Sequence, residues 1–431
     1  ARVGRPESPR WGMGMKIVFL CEQYPPIIWD GAGVYTHDIA HALVALGHQV
    51  HILCAQGRRR TDEDHDGVQV HRRPLLRLPV GRYFGPLGRL FQGKNHPRDS
   101  LSLRMVLAVS YAFWLRRLGL HPDVIETQDG ETRGLRTALR RDVPLVIHLH
   151  TPTMMDVRLR EGKLHGRGAL ADQIDRFSAL RADARTAPSE LIVTTLRDFG
   201  WLKTNTDADV IPYPFDRSSY AAVPPPRQTG PTLLVVGRLE WRKGLDVLLE
   251  AAALLGKRGV KPTVVFAGQS SGLIDGVPTG TWLKGRAAEL GVTCRFAGHL
   301  TRPELVRAYE DARAVVVPSR FESFSIAGLE GMASGRPVVA TETTGVATWV
   351  AKWEGGTVVP PQDATALADA LEPYLTDVEL AVAVGARGRA GTAELEPKRI
   401  AALRVEVYQK AIDRHRTRRG RGRGKRVAGP R

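Results

Sequence analysis

Two carboxylates eight positions apart, Glu322 and Glu330, are the residues of this chain best placed to do chemistry. They stand in Phe321-Glu322-Ser323-Phe324-Ser325-Ile326-Ala327-Gly328-Leu329-Glu330, where the strand-like run Ala314 to Pro318 gives way to a helix. Glu322 falls in the connecting loop. Glu330 falls one turn into the helix, on the stripe formed by Ile326, Leu329 and Ala333. A carboxylate turned toward a core needs a partner, because a buried unpaired charge is expensive. An exposed acid complementing the positive end of the helix is the plainer alternative. The small neighbours Ala327, Gly328, Gly331 and Ala333 predict open space beside it.

A second cluster is cationic. The run Thr232 to Arg238 ends in an arginine, and a short loop brings Arg242 and Lys243 to a helix start at Gly244. Cations at that end of a helix are unfavourable by a few tenths to about 1 kcal/mol. They make sense where an anion lies between them and the helix. A diphosphate fits, with Arg238 as a fork and Lys243 as a point charge; a solvated basic turn neutralised by Glu240 is the alternative. Gly31-Ala32-Gly33, read as a loop before the first helix, lets backbone N–H groups approach an anion. A plain tight turn fits those glycines as well. They do not spell GxGxxG, and no acid ends the second strand, so a dinucleotide oxidoreductase is poorly supported. His150 ends the run Leu145 to His150, at the ligand edge of a parallel strand, where a structural histidine fits equally. Glu126 and Asp129, at the end of the preceding strand, are candidates to touch a hydroxylated acceptor. Asp62-Glu63-Asp64 and Asp207-Ala208-Asp209 lie in polar segments and read as chance spellings, so neither a metal nor a cofactor is expected.

The elements that must position these residues alternate short apolar runs with helical periodicity, the pattern of an α/β protein with parallel sheets. A chain of 431 residues is too long for one ordinary core. Strands are expected at Lys16 to Cys21, Gln49 to Cys54, Asp123 to Glu126 and Leu145 to His150, with a helix over Val34 to Leu46. A second series follows at Thr232 to Arg238, Thr263 to Gly268, Val292 to Gly298, Ala314 to Pro318 and Pro337 to Thr341. The expected division is a disordered extension at 1–12, a first Rossmann-like domain at 13–220 and a proline-stiffened linker at 221–231. A second Rossmann-like domain at 232–396, a crossing helix at 397–413 and a basic disordered tail at 414–431 complete it. Residues 57–100, rich in Arg, Gly and Pro, are expected to be irregular. Two doubly wound domains of this kind hold ligands at the C-terminal edges of their sheets, facing a central cleft.

The net charge of +17 is unevenly spread: nine of the 62 basic residues, and no acid, fall in 414–431. That tail could meet an acidic membrane by charge alone, or serve only as a solvated terminus; nothing suggests a specific nucleic-acid site. The longest uncharged apolar run, Met105 to Leu115, is flanked by arginines and too short to span a bilayer. Nothing at the start reads as a signal peptide. Three cysteines without metal-ligand spacing fit reduced thiols, and the expected location is cytoplasmic, with peripheral contact at the inner membrane face.

The combination Gly237-Arg238-Leu239-Glu240-Trp241-Arg242-Lys243-Gly244, Glu322-Ser323-Phe324-Ser325-Ile326 and Leu329-Glu330-Gly331-Met332-Ala333-Ser334-Gly335-Arg336-Pro337-Val338-Val339-Ala340 strongly resembles the retaining GT-B glycosyltransferases of family 4. The likeness spans about residues 15 to 413. Ser325 stands where that family usually has glycine, and Ile211-Pro212-Tyr213-Pro214-Phe215-Asp216 replaces its usual Pro-Asn-Gly-Val-Asp.

The resemblance implies a bacterial, metal-independent hexosyltransferase that uses a nucleotide-sugar donor, UDP-sugar before GDP-mannose. Its acceptor would be a hydroxyl of a small molecule, natural product or lipid. It also implies roles: Arg238 and Lys243 clamp the diphosphate, Glu330 accepts the ribose hydroxyls, and Glu322 holds donor-sugar hydroxyls. Main-chain N–H groups of Phe324, Ser325 and Ile326 cap the phosphate, with Gly31 and Gly33 closing on it. His299 and Leu300 flank the base, and His150 lies beside the reaction centre. Competing readings are another GT-B enzyme, such as a sugar-nucleotide epimerase or phosphorylase, and a nucleic-acid- or membrane-binding protein acting through its tail.

Overall fold

The computed structural model describes residues 14–26, 31–55, 60–76, 101–152, 155–161 and 166–427. The chain forms two compact units. One comprises Ala1–Thr186, Thr206–Asp209 and Ala401–Arg431; the other comprises Ala187–Asn205 and Val210–Ile400. The expected extension at 1–12 lies outside the described residues.

From the N-terminus the elements are β1 (Lys16–Cys21), α1 (Gly31–Ala45), β2 (Gln49–Ala55), β3 (Thr61–His65), β4 (Val68–Arg73) and α2 (Leu101–Arg117). Then come β5 (Val124–Gln128), α3 (Leu135–Arg140), β6 (Leu145–His148), α4 (Met155–Glu161), α5 (Gly166–Arg181), β7 (Ala184–Ala187), α6 (Glu190–Asp198) and β8 (Asp209–Val210). The sheet order is β3-β4-β2-β1-β5-β6-β7-β8. Pairings from β4/β2 through β6/β7 are parallel. Ile17, Val18, Ile52, Val124 and Val146 are fully buried, as strands covered on both faces require. The strand order reverses between β1 and β5, which places a switch point at their C-terminal ends. Across β1 and β2, the Cys21 and Cys54 sulfurs lie 3.6 Å apart.

The second series runs β9 (Thr232–Val236), α7 (Leu245–Lys257), β10 (Thr263–Ala267), β11 (Leu273–Ile274), β12 (Val277–Pro278), α8 (Thr279–Leu290) and β13 (Cys294–Gly298). It continues with α9 (Arg302–Asp311), β14 (Ala314–Val317), α10 (Ile326–Ala333), β15 (Val338–Thr341), α11 (Ala347–Lys352), β16 (Gly356–Val359), α12 (Ala364–Thr376) and α13 (Val378–Gly391). The order β13-β10-β9-β14-β15-β16 puts this sheet's switch point between β9 and β14. The last helix, α14 (Pro397–Val427), contributes Ala401 onward to the first unit. These are the two doubly wound α/β sheets that the alternation predicts.

Four expectations need correction. Gly31–Gly33 do not form a loop; they are the first turn of α1. Part of the stretch expected to be irregular is the antiparallel hairpin β3–β4, closed by Asp66 (φ 51°) and Gly67 (φ 89°), a two-residue turn that Asp-Gly favours. Its Asp62, Glu63 and Asp64 are engaged locally by Arg73 and His71, by Arg72, and by the Gly67 N–H. The remainder of that stretch, 77–100, lies outside the described residues.

Residues 221–231 belong wholly to the second unit rather than joining two bodies. Arg336 and Arg389 donate to the carbonyls of Pro224 and Val223, and Arg313 holds Thr229. The basic tail is likewise not irregular, since α14 runs through it to Val427. Buried Asp183 anchors that helix by receiving Arg418 and His415, so composition alone was a poor guide there.

Candidate active site

In the second unit the cationic turn and the Glu322 loop meet at the switch point. β9 ends at Val236, and a 3₁₀ turn over Trp241–Lys243 leads into α7 through Gly244. Gly244 has φ 62°, and a Cβ there would stand 2.0 Å from the Pro318 carbonyl oxygen, so only glycine lets the turn lie this close to the end of β14. The Arg320 N–H then donates to the Arg242 carbonyl (2.8 Å), and the Arg320 guanidinium forks onto Asp246. On this frame Lys243 Nζ reaches Glu322 Oε1 at 2.6 Å, while Ser319 Oγ donates to Oε2 at 3.1 Å. Burial pushes the Glu322 carboxyl upward, but Lys243 and Arg242 outweigh it and hold the group below the usual range. Arg242 is itself fixed by Glu240 (2.7 Å) and by the Phe321 carbonyl (3.0 Å). Arg238 differs: its side chain is about half exposed (48%) and only grazes Glu240 at 3.8 Å.

The loop after Glu322 is held from the other side. Glu322 N–H donates to Thr343 O, Gly345 N–H to Glu322 O and Val346 N–H to Phe324 O. The Phe324 ring is buried against Tyr213 (4.8 Å between centroids), so only its main chain remains for a ligand. Ser325 has φ 97°, a backbone that glycine adopts more cheaply, which fits the glycine of the usual pattern. Its Oγ accepts from Gly328 N–H at 3.4 Å and caps α10.

Glu330 is buried, as its place on the stripe predicts, and three side chains meet its carboxylate. Tyr220 Oη (2.6 Å) and Arg302 Nη1 (2.8 Å) donate to Oε1, and Tyr309 Oη (2.8 Å) donates to Oε2. The Tyr220 and Tyr309 phenols are pushed up by burial and then by Glu330, so both stay protonated donors. The Arg302 guanidinium also lies over the Tyr220 ring at 4.8 Å. None of these three partners was foreseen. Tyr309 had a signal, standing on the helix before β14; Tyr220, 110 residues from Glu330 along the chain, had none.

The open space expected beside Glu330 is not there. A Cβ on Gly328 would stand 2.9 Å from Val346, and one on Gly331 would stand 3.0 Å from Val315, so the small residues admit close packing. His299 is exposed and Leu300 half-buried in the turn after β13, immediately before Arg302. That turn reaches the Glu330 cluster through Arg302.

In the first unit the C-terminal edge gathers Gly31, Gly33, Asp129 and His150. Gln128 Nε2 donates to Ala32 O at 3.3 Å, tying the start of α1 to the end of β5. His150 meets Tyr35 of α1 edge-on at 5.1 Å and His148 at 4.3 Å. Burial, then Arg404 and Arg133, lower its pKa to about 3, so the imidazole is neutral at physiological pH. Asp129 is raised to about 7 by burial and then by Asp175, against backbone N–H donors that include those of His150 and Thr151. Its Oδ2 has no partner among the described residues. Glu126 does not reach this edge as an acceptor contact. Its two oxygens are taken by Tyr35 Oη and Tyr408 Oη, both at 2.6 Å, and its side chain is buried.

Two doubly wound units with candidate residues at their switch points define the GT-B class. The family described as "Glycosyl transferase 4-like domain" matches residues 30–214, and "Glycosyl transferases group 1" matches residues 216–391. The chain belongs to the GT-B glycosyltransferases of the family-4 type. It is 28% identical over 422 residues to a glycogen synthase of Mycobacterium tuberculosis, covering 91% of this chain and 94% of that one. Over 178 residues it is 37% identical to a D-inositol 3-phosphate glycosyltransferase of Corynebacterium urealyticum, covering 40% and 42%. Its fold is similar to a sucrose-phosphate synthase of Thermosynechococcus elongatus, with TM-score 0.71, 21% identity and coverage of 92% and 98%.

Proposed function

We propose that this glycosyltransferase moves a hexosyl unit from a nucleoside-diphosphate sugar to a hydroxyl acceptor with retention of anomeric configuration and without a metal. The observation that carries the reading is the meeting of Lys243, Arg242 and Glu322 at the β9/β14 switch point, with half-exposed Arg238 beside them. Lys243 and Arg238 would hold the diphosphate, and the N–H groups at the start of α10 would add to that charge. Glu322, kept ionised by its cations, would accept hydroxyls of the donor sugar. Glu330 would accept the ribose hydroxyls, exchanging its bond to Arg302 for them. His299 and Leu300 would flank the base; His150 and Asp129 would serve the acceptor side.

In this reading the bond from the anomeric carbon to the β-phosphate oxygen breaks while the acceptor oxygen attacks from the same face. The leaving diphosphate takes the acceptor's proton. A double displacement would need a carboxylate nucleophile on the other face, and no residue here is nominated for that. Stabilising the charge that develops on the leaving group is then the main source of rate. UDP is favoured over GDP on the breadth of UDP use in the family. A cytoplasmic setting accords with Cys21 and Cys54 as thiols.

The test is thermal stability with UDP, GDP, ADP and dTDP, each with and without EDTA. A nucleotide at 100 times its Kd adds about 2.7 kcal/mol, worth several degrees at this size. One nucleotide should raise the midpoint despite EDTA. No shift with any of the four would end the donor-site assignment.

A further inference from the structure

The apolar run Met105 to Leu115 has no part in the chemistry above. It forms the middle of α2, and that helix is apolar on both sides. Leu107, Ala108, Tyr111, Trp114 and Leu115 face the core. Met105 (44% exposed), Val109 (40%) and Phe113 (45%) stand at i, i+4 and i+8 on the opposite face, in solvent. A surface helix ordinarily turns polar residues outward. One that does not is asking for a second apolar environment.

The neighbouring helices also carry exposed apolar side chains. α3 packs against α2 and α5, and Arg181 of α5 donates to Ala138 O of α3 at 3.0 Å. Leu139 on α3 and Leu170 and Phe177 on α5 are exposed as well. Six of the eleven large exposed apolar side chains among the described residues therefore lie on three adjoining helices, which single exposed residues scattered by chance would not do.

The exposed charge on the three helices themselves has one sign, with the carboxylate of Asp142 just beyond α3 paired to Arg136 at 3.1 Å. α2 ends in exposed Arg116 and Arg117, α3 in Arg140, and α5 in Arg181, whose guanidinium covers the Phe177 ring at 5.1 Å. Among the described side chains of the three helices no acid is exposed: Asp172 is buried against Arg158, and Asp175 against Arg104. The arginine-rich end of α14 joins them, with Arg419 donating to the Asp142 carbonyl just beyond α3. Arginines in a last turn also suit the helix dipole, but that explains the rim and leaves the apolar face unexplained.

We propose that the α2–α3–α5 face docks on an anionic lipid surface, its apolar side chains entering the headgroup region and its arginines meeting the lipid charge. A bilayer fits both halves of the pattern. A nucleic acid would use the arginines and strand the apolar side chains. A second copy of the face would bring two cationic rims together. No helix of the described residues is long and apolar enough to cross the membrane, so the contact is peripheral.

Flotation of the full-length protein with phosphatidylcholine vesicles, with and without phosphatidylglycerol, tests this. The protein should float with the anionic vesicles, and less so as salt is raised. The double variant Met105→Glu, Phe113→Glu should lower binding at least about tenfold, while leaving its melting profile and its nucleotide-induced shift unchanged. Those two controls separate this docking surface from the donor-site reading. Binding that survives the double variant, no binding by the natural sequence, binding to nucleic acid in place of vesicles, or self-association abolished by the same changes would each overturn the proposal.

Discussion

At the switch point of the second unit Glu322 meets Lys243 at 2.6 Å and has Arg242 nearby, whereas at that of the first Asp129 meets backbone N–H groups and the repulsion of Asp175. Both carboxyls sit at the C-terminal edge of a parallel sheet, and both are shielded from water. One is held ionised, the other is raised to about 7. Position in the fold therefore does not decide protonation; the nearest charges do. The same edge can present a fixed anion among cations in one unit and a neutral imidazole beside a carboxyl that titrates near neutrality in the other.

The sharpest way to break this contrast is Lys243→Ala. It should lower kcat about a hundredfold or more, since it removes charge opposite the leaving group, and circular dichroism should still report a folded protein. Activity within twofold of the natural enzyme would sink the clamp. Next in size is Glu330→Gln. Tyr220, Tyr309 and Arg302 would lose a charged acceptor, so stability should fall by about 1–3 kcal/mol in denaturant melts, and the donor KM should rise about tenfold. A loss of stability with an unchanged KM would make Glu330 purely structural.

The smallest effect concerns pH. Because the folded state raises the Asp129 pKa, the unfolded chain releases this proton first, and the group's contribution to stability declines as pH rises from about 4 to about 7. Glu322, whose folded pKa is lowered, acts the other way: its contribution is present above its ordinary range and is lost in acid. Asp129→Asn should flatten the decline and leave the midpoint at pH 8 equal or a few degrees higher. A lower midpoint at pH 8 would mean that the ionised carboxylate stabilises the fold.

The second unit was legible in the sequence because its chemistry follows the chain. Arg238 to Lys243 leave one strand, Glu322 leaves its sheet neighbour, and these two strands are rich in β-branched residues. The partners of Glu330 were not legible, since Tyr220 arrives from a segment without periodicity and Arg302 from the first turn of a helix. Glu126 misled for a related reason: a carboxylate at a strand end reads as a ligand contact until two distant tyrosines are found on it. The last helix was expected over 397–413, but its continuation to Val427 was hidden by composition. Its alternating Arg and Gly resemble a solvated tail, and the buried acid that anchors it, Asp183, lies over two hundred residues upstream.

The hydrogen bond from Tyr408 to Glu126 spans 282 positions. At about 5–20 residues per second on a ribosome, Glu126 is made roughly a quarter of a minute to a minute before its second tyrosine exists. Throughout that interval the first unit carries a core carboxylate with one donor missing, while every residue of the second unit is translated before Ala401. The half of the enzyme begun first is thus the half completed last.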